Sequence, residues 1–331
     1  MDATRPLPSP TRADMRRGVL FALALGMPAL GGIACGEPLL GAFVALGGLF
    51  ALTIDPRARA VSRTVAVLAG ALLVIGCAAL GLWFAGHRWA ALSALLLVSF
   101  LAGQPKPEHA YLSLLGKYAA SALVLAELGF PATMALGVAY FAGAVLALAL
   151  ALAAGFEQAT ASPWREIGAV LGGDTNGPLY GLTLPLTILL GTLSAQALDF
   201  VEPGWVALTI LFVMHVDDAL AWRRIRERII GTVAGVALAW LLLVFLPGNW
   251  PLLASIALLS AAYPYALRAD YLAFSAVVTA LVLLLIDVAR LPGGDLGLVG
   301  WRLWATLLGC AWVGASLVIM HALRRFIPRW R

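Results

Sequence analysis

The sequence predicts an all-α polytopic membrane protein with about twelve transmembrane helices in two parallel six-helix repeats. Three observations carry this. The 331 residues are 62% apolar and only 12% charged, with a mean hydropathy of +0.94, and a soluble domain carries about twice that charge fraction. The apolar runs extend over the whole length rather than forming one anchor. Finally, the chain repeats itself. Glu37-Pro38 recurs 165 residues on as Glu202-Pro203, and at that offset Arg59 matches Arg224, Arg63 matches Arg228 and Ala69-Gly70 matches Ala234-Gly235. At an offset of 160, Tyr111-Leu112 matches Tyr271-Leu272 and Glu127 matches Asp287. An internal repeat in so apolar a chain is the mark of a transporter built from two like halves.

The expected elements run as follows. Residues 1–16 form a cytoplasmic tail; the start from Met1 to Arg17 holds four arginines and no short apolar core ahead of a small-residue cleavage site, so the first span is expected to act as the insertion signal. The first repeat, 17–156, holds spans near 17–36, 38–54, 64–85, 89–103, 110–127 and 131–155. A cytoplasmic linker, 157–177, carries Trp164-Arg165-Glu166 and the turn-rich run Gly172 to Gly177, too short for a soluble domain. The second repeat, 178–322, holds spans near 178–198, 204–216, 229–246, 250–265, 270–288 and 300–322, and 323–331 is a basic tail. The segments 38–54 and 204–216 are short for roughly 30 Å of hydrocarbon, which leaves open whether they cross fully. Cys35, Cys77 and Cys310 have neither pairing nor metal-ligand spacing and read as small packing residues.

Charge sets the orientation. With both termini in the cytoplasm, 19 of the 22 Lys and Arg fall inside and only Arg88, Arg290 and Arg302 outside. Most tryptophans, Trp83, Trp89, Trp205, Trp222, Trp250, Trp301 and Trp330, mark span ends as an aromatic belt. The net charge of +5 is therefore a topology signal and gives no support for nucleic-acid binding, because the basic residues do not form one face of a folded domain. Six spans per half is an even number, so the halves enter the membrane alike, related by a pseudo-twofold axis along its normal.

Three helix starts share a pattern. After span 2 come Asp55, Arg57, Arg59 and Arg63, then Gly70. After span 8 come Asp217-Asp218, Arg223, Arg224, Arg226, Arg228 and Gly231-Thr232, then Gly235. Span 12 opens with Trp301-Arg302, then Thr306 and Gly309. In each, an arginine precedes a glycine by seven residues, two turns along nearly the same face. A guanidinium is a fork of donors suited to carboxylate, and Gly70, Gly231, Gly235 and Gly309 let a neighbouring helix approach closely. The positive-inside rule alone also places arginines there. Arg63 and Arg228 lie deepest, repeat at one offset, and are the candidates for drawing in a carboxylate. Lys117, about 9 Å along its helix from Tyr111, breaks the symmetry, since its repeat partner is Val277. It reads either as a snorkelling lysine or as an intramembrane cation on the pathway. Trp205 and Trp240 are the tryptophans placed to stack on an aromatic ligand.

The candidate proton-handling groups are His215, Asp217, Asp218, Asp55, Glu37, Glu202, Glu127 and Asp287. A histidine beside acids titrates near neutral pH, although a lone histidine at a span end is also an ordinary interfacial residue. Glu37 and Glu202 precede prolines and also suit simple turns at helix starts. Glu127 and Asp287 also suit solvated span ends.

On these motifs, the duplicated acidic turn with its arginine-rich helix start, Gly231-Thr232 to Gly235, and the helix from Arg302 to Gly309, the sequence resembles the fusaric acid resistance protein-like family within the aromatic acid exporter group. The resemblance covers nearly the whole chain. It implies efflux of aromatic carboxylic acids and a distant likeness to plant malate-permeable anion channels, in which two six-span subunits surround a pore. Longer members carry cytosolic domains after each half, where this chain has a short join and a short tail.

No Walker A loop, Rossmann glycine fingerprint, His-Glu-x-x-His or nucleophile elbow is present, so no enzyme activity, cofactor or metal is expected. The expected function is proton-coupled export of small organic, aromatic carboxylates across a bacterial-type cytoplasmic membrane. The alternatives are a passive organic-anion channel with a pore between the repeats, and a membrane subunit or scaffold of an export complex. The expected partners are a small organic anion and membrane lipids, with the chain as monomer or homodimer.

Overall fold

A computed structural model describes residues 9, 11–128, 132–155, 162–200, 202–246, 248–290 and 296–326, with the backbone alone at 88, 287–290, 296–299 and 323–326. Most of the N-terminal tail, the start of the join (156–161), and the end of the basic tail with Trp330 lie outside the described residues. Everything described is helix, turn or irregular chain except one isolated bridge between Pro105 and Thr175.

The first six helices are α1 (Arg12–Ala34), α2 (Pro38–Ile54), α3 (Ala60–Phe84), α4 (Arg88–Gly103), α5 (Ala110–Glu127) and α6 (Met134–Ala153). The join contributes α7 (Pro163–Leu171), and then come α8 (Gly177–Ala197), α9 (Gly204–Val213), α10 (Asp218–Phe245), α11 (Asn249–Ala269), α12 (Tyr271–Arg290) and α13 (Leu296–Phe326). Each expected span falls on one of these helices, and the chain is an all-helical, multi-pass membrane protein. Seven described helices are long and apolar enough to cross a bilayer: α1, α3, α6, α8, α10, α11 and the 300–322 part of α13.

The boundaries have local causes. Thr11 and Asp14 close a capping box on α1, Thr133 accepts the Leu136 N–H on α6, and Asp217 accepts the Leu220 N–H on α10. Proline opens α2, α7 and α8, where its missing N–H costs nothing. The short segment at 204–216 resolves into the ten-residue α9, about 15 Å long, followed by non-helical chain from Met214 to Asp217. Non-helical backbone at membrane depth is tolerated where protein surrounds it or where it lines a cavity. α10 starts about three turns ahead of the expected span, so its arginine-rich segment is part of one continuous helix.

The helices pair in a recurring pattern. In the first half α1 packs on α2, α2 on α6, α3 on α5 and on α6, and α4 on α5. In the second, α8 packs on α9, α9 on α13, α10 on α12 and on α13, and α11 on α12. Contacts between the halves are reciprocal: α1 packs on α11 as α8 does on α4, and α2 on α12 as α9 does on α5, the relation an isologous interface has. The two hydrophobic cores therefore each borrow from the other half. One joins α1, α2, α3 and α6 to α11 and α12; the other joins α8, α9, α10 and α13 to α4 and α5. Cys77 and Cys310 are buried in these cores, whereas Cys35 is exposed.

Small residues set the tightest seams. A Cβ on Gly47 would overlap the Tyr140 carbonyl, and one on Gly143 the Val44 carbonyl, so α2 and α6 meet backbone to backbone. Gly231 and Gly235 do the same for α10 against α12, facing the Leu272 and Ala276 carbonyls, while Gly309 faces Thr209 and Val206 on α9. Gly70 differs, being closed in by the side chains of Phe50, Ile54 and Leu115. Gly47→Ala or Gly143→Ala should therefore cost about 1–3 kcal/mol of overpacking, read as a lowered Tm of the detergent-purified protein. Gly31→Ala, where a Cβ meets nothing within 4 Å, should leave it unchanged or slightly raised.

Candidate functional site

The contacts of the chain ends and turns define two ends of the bundle. Arg268 pairs with Asp14, the Arg16 guanidinium donates to the Ala154 carbonyl, His321 lies 4.0 Å from Asp218, and Lys106 pairs with Asp174. These groups mark the arginine-rich end, where α2 hands over to α3 and α9 to α10.

Inward from that end, cations line the seam between the halves. Because α9 stops short, Phe212 stands at its last turn against α5. The Lys117 ammonium lies 5.8 Å from its ring centroid, and Tyr118 meets it edge-on at 6.0 Å. The Tyr271 hydroxyl donates to the Phe212 carbonyl at 3.1 Å, and Arg224 lies over the Tyr271 ring at 5.5 Å. Arg224 is close enough to Lys117 for mutual repulsion. Arg228 is near enough to Tyr271 and to Arg302 to interact electrostatically with both. Arg302 lies over the Trp205 ring at 4.0 Å. Lys117, Phe212, Tyr271, Arg224 and Trp205 all keep some accessible surface. The row Arg224, Lys117, Arg228, Arg302 thus follows α10 from its charged start into the bundle.

The two innermost members are buried, Arg228 at 4% and Arg302 at 6% exposure. Among the described residues no carboxylate pairs with either. Among the described residues Arg228 Nε and Arg302 Nη1 have no hydrogen-bond partner, and neither do the hydroxyls of Thr232 and Thr279. Thr232 follows Arg228 by one turn on α10. Thr279 is brought up because Gly235 lets α12 close on α10, so that a Cβ on Gly235 would stand 2.8 Å from the Thr279 Cβ. A guanidinium cannot shed its proton, and a charge out of water is costly unless paired. Two buried guanidiniums on neighbouring helices, each with an unused donor among the described residues, form a site suited to an anion.

Arg63, which matches Arg228 in the repeat, is placed differently. Its Nε donates to Asp55 Oδ1 at 2.7 Å, its Nη2 pairs with Asp55 Oδ2, and its Nη1 donates to the Ala151 carbonyl at 3.3 Å. At 1% exposure it is a neutralised, fully buried charge. The repeat position of Asp55 in the second half is Leu220.

The acids and the histidine expected to handle protons divide between the two ends. His215 accepts the Asp217 N–H at 3.0 Å, Asp217 caps α10, and Asp218 lies beside His321 at the arginine-rich end, where Asp55 also sits. Exposed Glu37 and half-buried Glu202 precede α2 and α9, and half-buried Glu127 closes α5, all at the other end. The Asp287 side chain lies outside the described residues. From Glu37 to Asp55, α2 alone covers about 25 Å. None of the described acids in this set lies between the two ends, and no group of described residues could hold a metal.

Sequence reasoning counted Arg302 among outer-side basic residues, yet it is buried, a turn and a half inside α13. The signal was present in the seven-residue step from Arg302 to Gly309. Tyr271 and Phe212 were missed as site residues, because an aromatic in an apolar run looks the same whether it packs or lines a path. The join also supports the site: the Glu166 carboxylate on α7 accepts the Leu112 N–H at 3.0 Å and caps α5, the helix that carries Lys117.

Residues 189–315 match the model of a family described as fusaric acid resistance protein-like. The family is one of membrane transporters rather than enzymes. The matched segment runs from within α8 into α13 and contains Trp205, Phe212, Arg224, Arg228, Tyr271 and Arg302; Lys117 precedes it. No curated protein and no solved structure matches the chain.

Two outcomes follow from this geometry. Asp55→Asn leaves Arg63 buried without its counter-charge and should cost about 3–5 kcal/mol, seen as a lowered Tm, whereas Asp218→Asn, at a half-exposed acid, should cost under about 1 kcal/mol. At the α7–α8 turn, the Lys106 hydrogen bond and then that of His109 hold the Asp174 carboxyl below its ordinary value. The contact is therefore complete above the unfolded value near about 4 and is lost as pH falls through the depressed folded value. Amide exchange at Thr175 and Asn176 should accelerate only in that acid range.

Proposed function

We propose that the protein is a secondary transporter that exports small organic, aromatic carboxylates across a bacterial-type cytoplasmic membrane, with both termini inside. The observation that supports this most directly is the buried Arg228–Arg302 pair with idle donors. A carboxylate is the planar acceptor that a guanidinium fork fits. Lys117 and Arg224 supply the attraction that draws it in from the arginine-rich, cytoplasmic end. The faces of Trp205, Tyr271 and Phe212 suit an aromatic body. Sharing Arg302 with the Trp205 ring keeps the site from being a bare charge, and a transport site has to release what it binds.

Proton coupling in this reading runs through the mouths. Asp55 holds Arg63 only while ionised, so a proton on Asp55 frees that guanidinium for the incoming carboxylate. His215, Asp217 and Asp218 stand at the same end, and Glu37, Glu202, Glu127 and Asp287 receive protons at the other. A second reading, passive anion conduction along the same cations, is favoured by one observation: no described acid of this set lies between the ends. One chain contains both halves, so a monomer suffices for one path.

The deciding experiment uses purified protein in liposomes loaded with p-hydroxybenzoate, with and without an imposed pH gradient. Coupled export requires flux that depends on the pH gradient and falls at least tenfold in Arg228→Gln and in Arg302→Gln, with a smaller loss in Lys117→Gln. Flux that follows the anion gradient alone moves the assignment to the channel. Absence of carboxylate flux from folded wild-type protein overturns both.

A further inference from the structure

A second cationic cavity opens in the first half, where α1, α2, α3 and α6 meet at the arginine-rich end. It is a small pocket, with Arg17, Arg57, Arg63 and Asp55 on its walls and Phe21 and Leu52 among its apolar lining. The charges do not balance. Asp55 is taken up by the Arg63 fork and also accepts the Arg57 N–H at 3.0 Å. Arg17 and Arg57, both half-buried, are left to share what remains of that one carboxylate and repel each other across the cavity. The other groups near Arg17 do not make up the deficit: Asp14 already bonds Thr11 and pairs with Arg268, and Tyr263 is neutral.

Among the described lining residues, three guanidiniums stand against one carboxylate, an excess of two positive charges on a partly apolar pocket, an arrangement that an anion would relieve. The backbone pays in the same place. Arg57 has φ +50°, a left-handed conformation that costs a residue with a side chain and persists where the surroundings enforce it, often at ligand sites. Here the Asp55 carboxylate accepting the Arg57 N–H enforces it. The 38–54 span can end in this turn because Pro56 and the left-handed Arg57 stop the helix.

We infer that this cavity is a binding site for a phosphate group. A tetrahedral dianion matches the excess of two charges, and arginine forks suit its oxygens. The site lies in the first half, on α1, α2 and α3; it shares Asp55 and Arg63 with the proton step proposed above, but Arg17 and Arg57, which carry its excess charge, take no part in that step, so the site stands or falls separately from the transport reading. A bound phosphate ties the start of α1 to the α2–α3 turn. The phosphate can arrive as the headgroup of an anionic phospholipid or as free phosphate, and the chemistry of the cavity is the same for both.

The test follows the Tm of delipidated protein in detergent as inorganic phosphate is added against chloride at equal ionic strength. It also follows retention of phosphatidic acid against phosphatidylcholine from nanodiscs by native mass spectrometry. The variants are Arg17→Gln, Arg57→Gln and Arg57→Gly; glycine accepts the left-handed turn without strain, so the last keeps the fold while removing the guanidinium. Wild-type protein should gain several degrees with phosphate and none with chloride, or retain phosphatidic acid selectively, and each variant should lose at least tenfold in that affinity. Phosphatidic acid retention displaced by inorganic phosphate identifies a headgroup as the source. A response to phosphate without lipid retention identifies a soluble one. Equal responses of wild type and Arg57→Gly, or no response in wild type, overturn the site. Carboxylate flux in Arg57→Gly should persist, so failure here and failure of the transport reading are read separately.

Discussion

A guanidinium inside a membrane protein sets the terms for everything around it, because it keeps its charge at any accessible pH. This chain buries it at repeat-related positions and settles the debt in two different ways. Arg63 is held by both oxygens of Asp55 and by the Ala151 carbonyl, so the first half closes around a neutral pair. Among the described residues no carboxylate pairs with Arg228, which lies near Tyr271 and Arg302. Arg302 has the Trp205 face, and among the described residues each of the two arginines retains a donor without a partner.

The exchange of helices between halves explains how such a site survives. Each core draws helices from both repeats: α11 and α12 complete the first, α4 and α5 the second. The seam that carries Lys117, Phe212 and Tyr271 is therefore not an interface added after two halves have folded but part of what folds them. Short α9 makes room along this seam, and the glycines of α10 bring α12 close enough to supply Tyr271 and Thr279. Close packing and an open cationic line thus share the same helices: Gly231 and Gly235 face α12, while Arg224 and Arg228 on the same α10 contact Tyr271.

The helix positions were legible because hydrophobic runs, prolines and caps act locally: Glu37-Pro38 opens α2 and Asp217 caps α10 as such residues do in any helix. The candidate cations Arg63, Arg228 and Lys117 were legible as charges in apolar surroundings. What the one-dimensional pattern could not carry was partnership. Nothing in the step from Arg63 to Gly70 differs from the step from Arg228 to Gly235, yet one arginine is neutralised eight residues away by Asp55 and the other is not. The α9–α10 turn has its own acids, but Asp217 is spent on capping the helix and Asp218 stands by His321. The depth of Arg302 was hidden for a related reason: a residue near the start of an apolar run looks interfacial until the helix is seen to begin earlier, at Leu296.

The uneven partnering also bears on why a duplicated framework departs from its own symmetry. Two identical open arginine sites would place four unneutralised charges within one bundle, each raising the cost of the others at the low effective dielectric of the interior. Closing the first-half site with Asp55 removes one of these and fixes the α2–α3 turn, while Lys117, with Val277 at its repeat position, adds a cation on the seam beside Phe212. The net effect is to gather the uncompensated charge of the seam along α10 and its neighbours. That line is a graded series, from half-exposed Arg224 through Lys117 to the buried arginines, in which exposure to water falls as guanidinium donors accumulate. Symmetry supplies the scaffold, and the single acid at position 55 selects which half of it stays open.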